Sequence, residues 1–128
     1  MTLDKFVAAV KLAFPVGTVI ENPGGGTSTI VGYSNMNISY VRGRSTIAVA
    51  FSDLYETYAK FKGQHVSSTE LRAFRPSVFD SAARPAGHSC NCTFLFCVLE
   101  KLNLSGPITG SGVRGNPYAV AVSGGGVA

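Results

Sequence analysis

The first apolar positions, Leu3, Phe6, Val7, Val10 and Phe14, recur every three or four residues, which predicts an amphipathic helix over residues 2–14. Thr2 stands where an N-cap belongs, Asp4 falls in the first turn, and Pro15 follows the end. The period then shortens. Gly17 to Glu21 reads as a short strand stopped by Asn22-Pro-Gly-Gly-Gly26, and Thr27 to Tyr33, Asn37 to Arg42 and Ser45 to Phe51 read as three β-rich runs. In the last of these, Ile47, Val49 and Phe51 alternate with Thr46, Ala48 and Ala50. The turns at Ser34–Met36 and Arg42–Arg44 are short, and short turns join antiparallel neighbours. A meander of three or four strands follows.

Helical spacing returns after Phe51. Ser52 is the expected cap of a helix with Asp53 and Glu56 near its start, an apolar stripe of Leu54, Tyr58 and Phe61, and Gly63 as its stop. Ser67-Ser-Thr-Glu70 forms a capping box for a short helix carrying Leu71 and Phe74, closed by Arg75-Pro76. Val78-Phe79 reads as a turn of helix or a plug, and residues 81–87 as loop. Ser89 to Leu102 is apolar almost all round and predicts a buried central helix. Asn116 to Val122 predicts a last strand. The order of elements implies an α+β fold, with helices on one face of a mostly antiparallel sheet. The expected boundaries are a single compact domain over 1–122 and a flexible Gly-rich tail over 123–128.

Composition narrows the class. The chain has 128 residues, 45% hydrophobic and 14% charged. Globular proteins average about 25% charged, and a chain this apolar is not a disordered one. Few charges are available to cover the surface, which makes a homo-oligomer an alternative reading. The formal charge is +4, from eleven Lys+Arg and seven Asp+Glu. Six bases, Arg42, Arg44, Lys60, Lys62, Arg72 and Arg75, lie between Tyr40 and Arg75, and gathered on one face they would attract phosphate. Asp4 beside Lys5 and the interruption at Lys11 do not suit a signal peptide, and no apolar run reaches the length of a membrane span. Three cysteines are a poor disulfide framework, so a reduced, cytoplasmic protein with no membrane partner is expected.

The densest chemistry is Arg84-Pro-Ala-Gly-His88-Ser89-Cys90-Asn91-Cys92-Thr93. A zinc site would need four ligands, and only His65 and Cys97 could add to this group. A thiol nucleophile at Cys90 or Cys92 would use His88 as base, although a base so close in sequence is hard to position. A third reading is an anion held at the N-terminus of the central helix by free amides, with Arg84, His88 and Ser89 nearby; its plain counterpart is a capped helix that binds nothing. Gly110-Ser-Gly112-Val-Arg-Gly115 spells G-x-G-x-x-G, but Pro117 forbids the helix that a dinucleotide site requires. No motif calls for a metal, a cofactor or a catalytic set.

Two arginines at the Arg42-Gly-Arg44 turn are the best basic feature, and Tyr33, Tyr40 and Tyr118 are the expected exposed stacking or interface residues. The resulting expectation is a small non-enzymatic protein that contacts the phosphates of DNA or RNA. Arg42, Arg44, Arg84, His88, Ser89 and Arg114 are the candidate contacts, with Arg72 or Arg75 extending the set.

Overall fold

The computed structural model describes residues 1–124, so the part of the expected tail from residue 125 on lies outside the described residues. Helix α1 spans Leu3–Ala13, and the Thr2 hydroxyl accepts a hydrogen bond from the Lys5 amide. Strands β1 (Val19–Glu21), β2 (Thr27–Tyr33), β3 (Asn37–Arg42) and β4 (Ser45–Ala50) form one antiparallel sheet in sequence order. Then come α2 (Phe51–Phe61), β5 (His65–Ser67), α3 (Ser68–Phe74), α4 (Pro76–Phe79), α5 (Cys90–Lys101) and β6 (Ala119–Ala121). The architecture is the α+β domain that the sequence implies.

Register explains which face is inside. Ile38 and Tyr40 of β3 pair with Val49 and Ile47 of β4, and all four are buried. On β2 the alternation is broken by a bulge between Ile30 and Gly32, which puts Ile30 opposite Tyr40 and Tyr33 opposite Ile38. The extra residue lets two side chains three positions apart share the inner face. Val31 is turned out and exposed. The outer face carries Val19, Thr29, Val41, Thr46 and Ala48.

Three details differ from the sequence expectation. Helix α2 starts directly after β4, with Ala50 rather than Ser52 at its N-cap and no side-chain cap. The Phe51 amide donates to the Met36 carbonyl at 2.8 Å, so Phe51 ends the sheet ladder and begins the helix at once. Strand β5 has no counterpart in the sequence pattern, and the last strand pairs with it in a separate two-stranded sheet rather than joining the meander. The Ser123 amide also donates to the Leu104 carbonyl at 2.9 Å, so the chain is tied down through that residue. No helix of the described residues is long and apolar enough to cross a membrane.

Helix α5 is the centre of the core, as its composition requires. Asn91 through Phe96, Val98 and Leu99 are all buried. Its C-terminus closes through Asn103 at φ 58°, with the Leu104 amide donating to Leu99 and the Asn103 amide to Glu100. That pair of bonds is a Schellman motif, with asparagine in the left-handed position where glycine is commonest.

The helix meets the sheet through a buried polar contact in an apolar surround. The Tyr40 ring stacks on Phe94 at 4.0 Å between centroids, only 6° from parallel. Its hydroxyl donates to Asn91 Oδ1 at 2.7 Å, and Asn91 Nδ2 donates to the Val78 carbonyl at 2.9 Å. Buried polar groups are destabilising only when a partner is missing. Replacing Asn91 by alanine leaves the Tyr40 hydroxyl without its acceptor and should cost about 2–3 kcal/mol, against about 1 kcal/mol for Tyr40→Phe. Urea denaturation measures both, and an Asn91→Ala protein as stable as the parent would contradict this account.

Candidate functional site

An open cleft of about 580 Å³ lies where the end of β3, the starts of α3 and α5, and the loop before β6 meet. Arg42 comes from β3, Arg72 from α3 and Arg114 from the loop. Ser68, Thr69, Ser89 and Thr93 supply hydroxyls, Cys90 a thiol, and Val113, Pro117 and Tyr118 an apolar side. Among the described residues no Asp or Glu lines it.

Each arginine is placed by local structure. Arg42 lies two residues beyond Tyr40 on β3, hence on the same inner face, and its guanidinium donates to Thr93 Oγ1 at 3.2 Å. The turn after it is Gly43-Arg44, with Gly43 at φ 60°, which fits the two-residue hairpin turns that need glycine first. Arg72 rides on α3, whose start is fixed by the capping box between Ser67 and Glu70, as the sequence implies. Arg114 sits in a loop stitched by its own backbone. The Ser111 and Gly112 amides donate to the Asn116 carbonyl, and the Asn116 amide donates to Val113.

The G-x-G-x-x-G glycines belong to that loop, which leads into β6 and not a helix. A Cβ on Gly110 would lie 2.1 Å from the Pro117 carbonyl oxygen, and one on Gly112 would lie 2.4 Å from the Tyr118 ring. Gly110 and Gly112 serve the close packing of the loop, not a pyrophosphate cradle.

The candidate residues of the sequence separate into two groups. Arg42, Ser89 and Arg114 line the cleft, together with Arg72. Arg44, Arg84 and His88 do not. Arg75 is paired with Asp53 at 2.8 Å and Glu56 at 3.1 Å, so its charge is neutralised within the protein. Tyr40 is fully buried and is no surface stacking residue; Tyr33 is half-buried, with its hydroxyl donating to the Phe14 carbonyl. Of the three tyrosines only Tyr118 reaches the cleft. Thr93 belongs to the polar cluster that the sequence shows, whereas Thr69 carries no signal of a site there, because only the packing of α3 against α5 brings it to this place.

The amides at the start of α5 are largely used. Ser89 has helical φ and ψ, and the turn entering the helix takes its own donors: Asn91 N–H bonds to the His88 carbonyl and Cys92 N–H to Ser89. Ser81 and Ser89 clasp each other, each hydroxyl accepting from the other's amide, at 2.8 and 3.0 Å. The positive charge at this end therefore comes from the arginines rather than from free N–H groups.

The cysteines differ by environment. Burial pushes the Cys92 thiol up to about 12, and burial followed by the charge of Glu100 pushes Cys97 up to about 11. Cys90 is half-buried in the cleft wall, 3.5 Å from the Tyr40 hydroxyl. Among the described residues no hydrogen bond joins the His88 ring to a thiol, and no three of His, Cys, Asp and Glu converge to hold a metal ion.

The raised thiols make stability depend on pH. Above about pH 9 the unfolded chain releases the Cys92 and Cys97 protons while the folded chain retains them up to about 12 and 11. The unfolded state then binds fewer protons, so stability is full below pH 9 and falls as the pH rises toward 11. A melting series from pH 7 to 10.5 should show this decline, reduced in Cys92→Ala. At pH 7.5 a thiol reagent should leave the buried Cys92 unmodified in the folded protein, and rapid reaction of all three thiols would refute the assignment.

No family model matches the chain, and the comparisons with curated proteins and with solved structures return no match, so the site rests on its own residues.

Proposed function

We propose that this is a non-enzymatic binding protein that holds nucleic acid, DNA or RNA, by seating backbone phosphate in the cleft among Arg42, Arg72 and Arg114. One observation carries the reading: three arginines from three distant segments converge on one cleft that, among the described residues, has no carboxylate. Among the described residues none of the three has an acidic partner within ion-pair distance, in contrast to Arg75. A cation cluster without internal neutralisation favours an anionic partner, and hydroxyls beside it suit phosphate oxygens. Arg44 at the hairpin tip extends the charged surface beyond the cleft. The three unpaired thiols suit a reducing compartment such as the cytoplasm.

Binding of labelled oligonucleotides, titrated with salt, tests this. Removing one phosphate-binding arginine should lower the slope of log K against log salt by about one. Arg42→Ala and Arg72→Ala should therefore flatten the dependence and weaken binding, whereas Arg84→Ala should change little. Absence of salt-sensitive binding to any DNA or RNA at low ionic strength would refute the reading.

A second copy of the chain is the alternative partner, supported by the outer sheet face. Thr29, Val31, Ser39, Val41, Thr46 and Ala48 make that face uncharged apart from Glu21 on the edge strand, and Val19 and Val31 are 58% and 44% exposed. Sedimentation equilibrium should then show a dimer that dissociates in Val31→Lys, and a monomer at high protein concentration would remove this reading.

A further inference from the structure

We propose that the cleft accepts one unstacked nucleotide, its phosphate on the arginines and its base against Tyr118, so that single strands are preferred to duplex. This rests on the phosphate-binding reading above and adds to it which form of nucleic acid is taken.

At about 580 Å³ the cleft is far larger than a phosphate group requires and falls within the range of pockets that enclose whole small ligands, about 300–1,000 Å³. Its lining is also of two kinds. Arg42, Arg72 and the hydroxyls of Thr69, Ser89 and Thr93 suit an anion, whereas Val113, Pro117 and Tyr118 give it an apolar, aromatic part. Phosphate alone makes no use of the second part. A nucleotide uses both.

Tyr118 is held in place before any ligand arrives. Gly112 lies so close that a Cβ there would be 2.4 Å from the ring, and a Cβ on Gly24 would be 2.8 Å from the hydroxyl. The Tyr118 carbonyl accepts from the Ser68 amide at 2.9 Å, tying it to the start of α3 and so to the wall that carries Arg72. A fixed aromatic loses little freedom on binding. A base inside a duplex has both faces covered by its neighbours, whereas one in a single strand, or turned out of a helix, has a face to offer.

The test uses fluorescence anisotropy with a labelled single-stranded oligonucleotide, its matched duplex and unlabelled competitors. Single strand should bind more tightly than duplex. Tyr118→Leu should weaken single-strand binding about tenfold while leaving the salt slope unchanged, and Tyr118→Phe should bind as the parent does. In the parent protein, which needs no variant to fold, a nucleoside monophosphate should displace the strand at about one-tenth the concentration needed of ribose 5-phosphate. Equal affinity for duplex and single strand, or equal competition by the two phosphates, overturns the proposal and leaves phosphate binding standing. Binding to no nucleic acid overturns both.

Discussion

The stack of Tyr40 on Phe94 fixes the sheet against its central helix, and the cleft takes its geometry from that contact. Tyr40 is fully buried, with its ring flat on Phe94 and its hydroxyl on Asn91. Because side chains alternate along a strand, fixing Tyr40 inward also fixes Arg42 inward, two residues on. Because Asn91 lies in the first turn of α5, the same bond sets that turn, and with it Ser89, Cys90 and Thr93. The hydrogen bond from Arg42 to Thr93 then repeats the joint one pair further along. A buried polar pair of this kind adds little net stability, but a shift of strand against helix would leave both partners unsatisfied. It specifies position.

Much of the fold is legible in the sequence because it is local. The spacing of Phe6, Val10 and Phe14, the capping box at Ser67–Glu70, and the alternation of Ile47, Val49 and Phe51 each reflect neighbours in the chain. The all-apolar run from Phe94 to Leu99 could be satisfied only by burial on every side, which makes α5 the core. What the sequence does not reveal is non-local. His65-Val66-Ser67 is too short to declare itself a strand and exists because Val120 pairs with Val66. Phe51 has the spacing of an inward-facing strand residue; it is buried, yet it begins a helix. The same division runs through the site. Arg42 and Arg114 stand out as basic residues in turns, but nothing in their spacing brings Arg72 to them or keeps Arg84 away.

Charge placement gives the cleft its meaning. With charged residues at 14% of the chain, the position of each one matters more than the net excess of four. Asp53 and Glu56 are both engaged by Arg75, at the far end of α3 from the cleft mouth at Ser68 and Thr69. Among the described residues no acidic side chain lines the cleft where three arginines gather. The modest net charge of the whole molecule conceals a local excess.

The pairing of β5 with β6 also imposes an order on biosynthesis. Strands β1 to β4 pair with sequence neighbours, so the meander can close soon after its last residue leaves the ribosome. Arg114 and Tyr118, by contrast, reach the cleft only when Val120 meets Val66, a contact between distant parts of the chain. A nascent chain halted before β6 thus displays Arg42 without its aromatic counterpart. The cleft is therefore complete only once the C-terminal strand has been made.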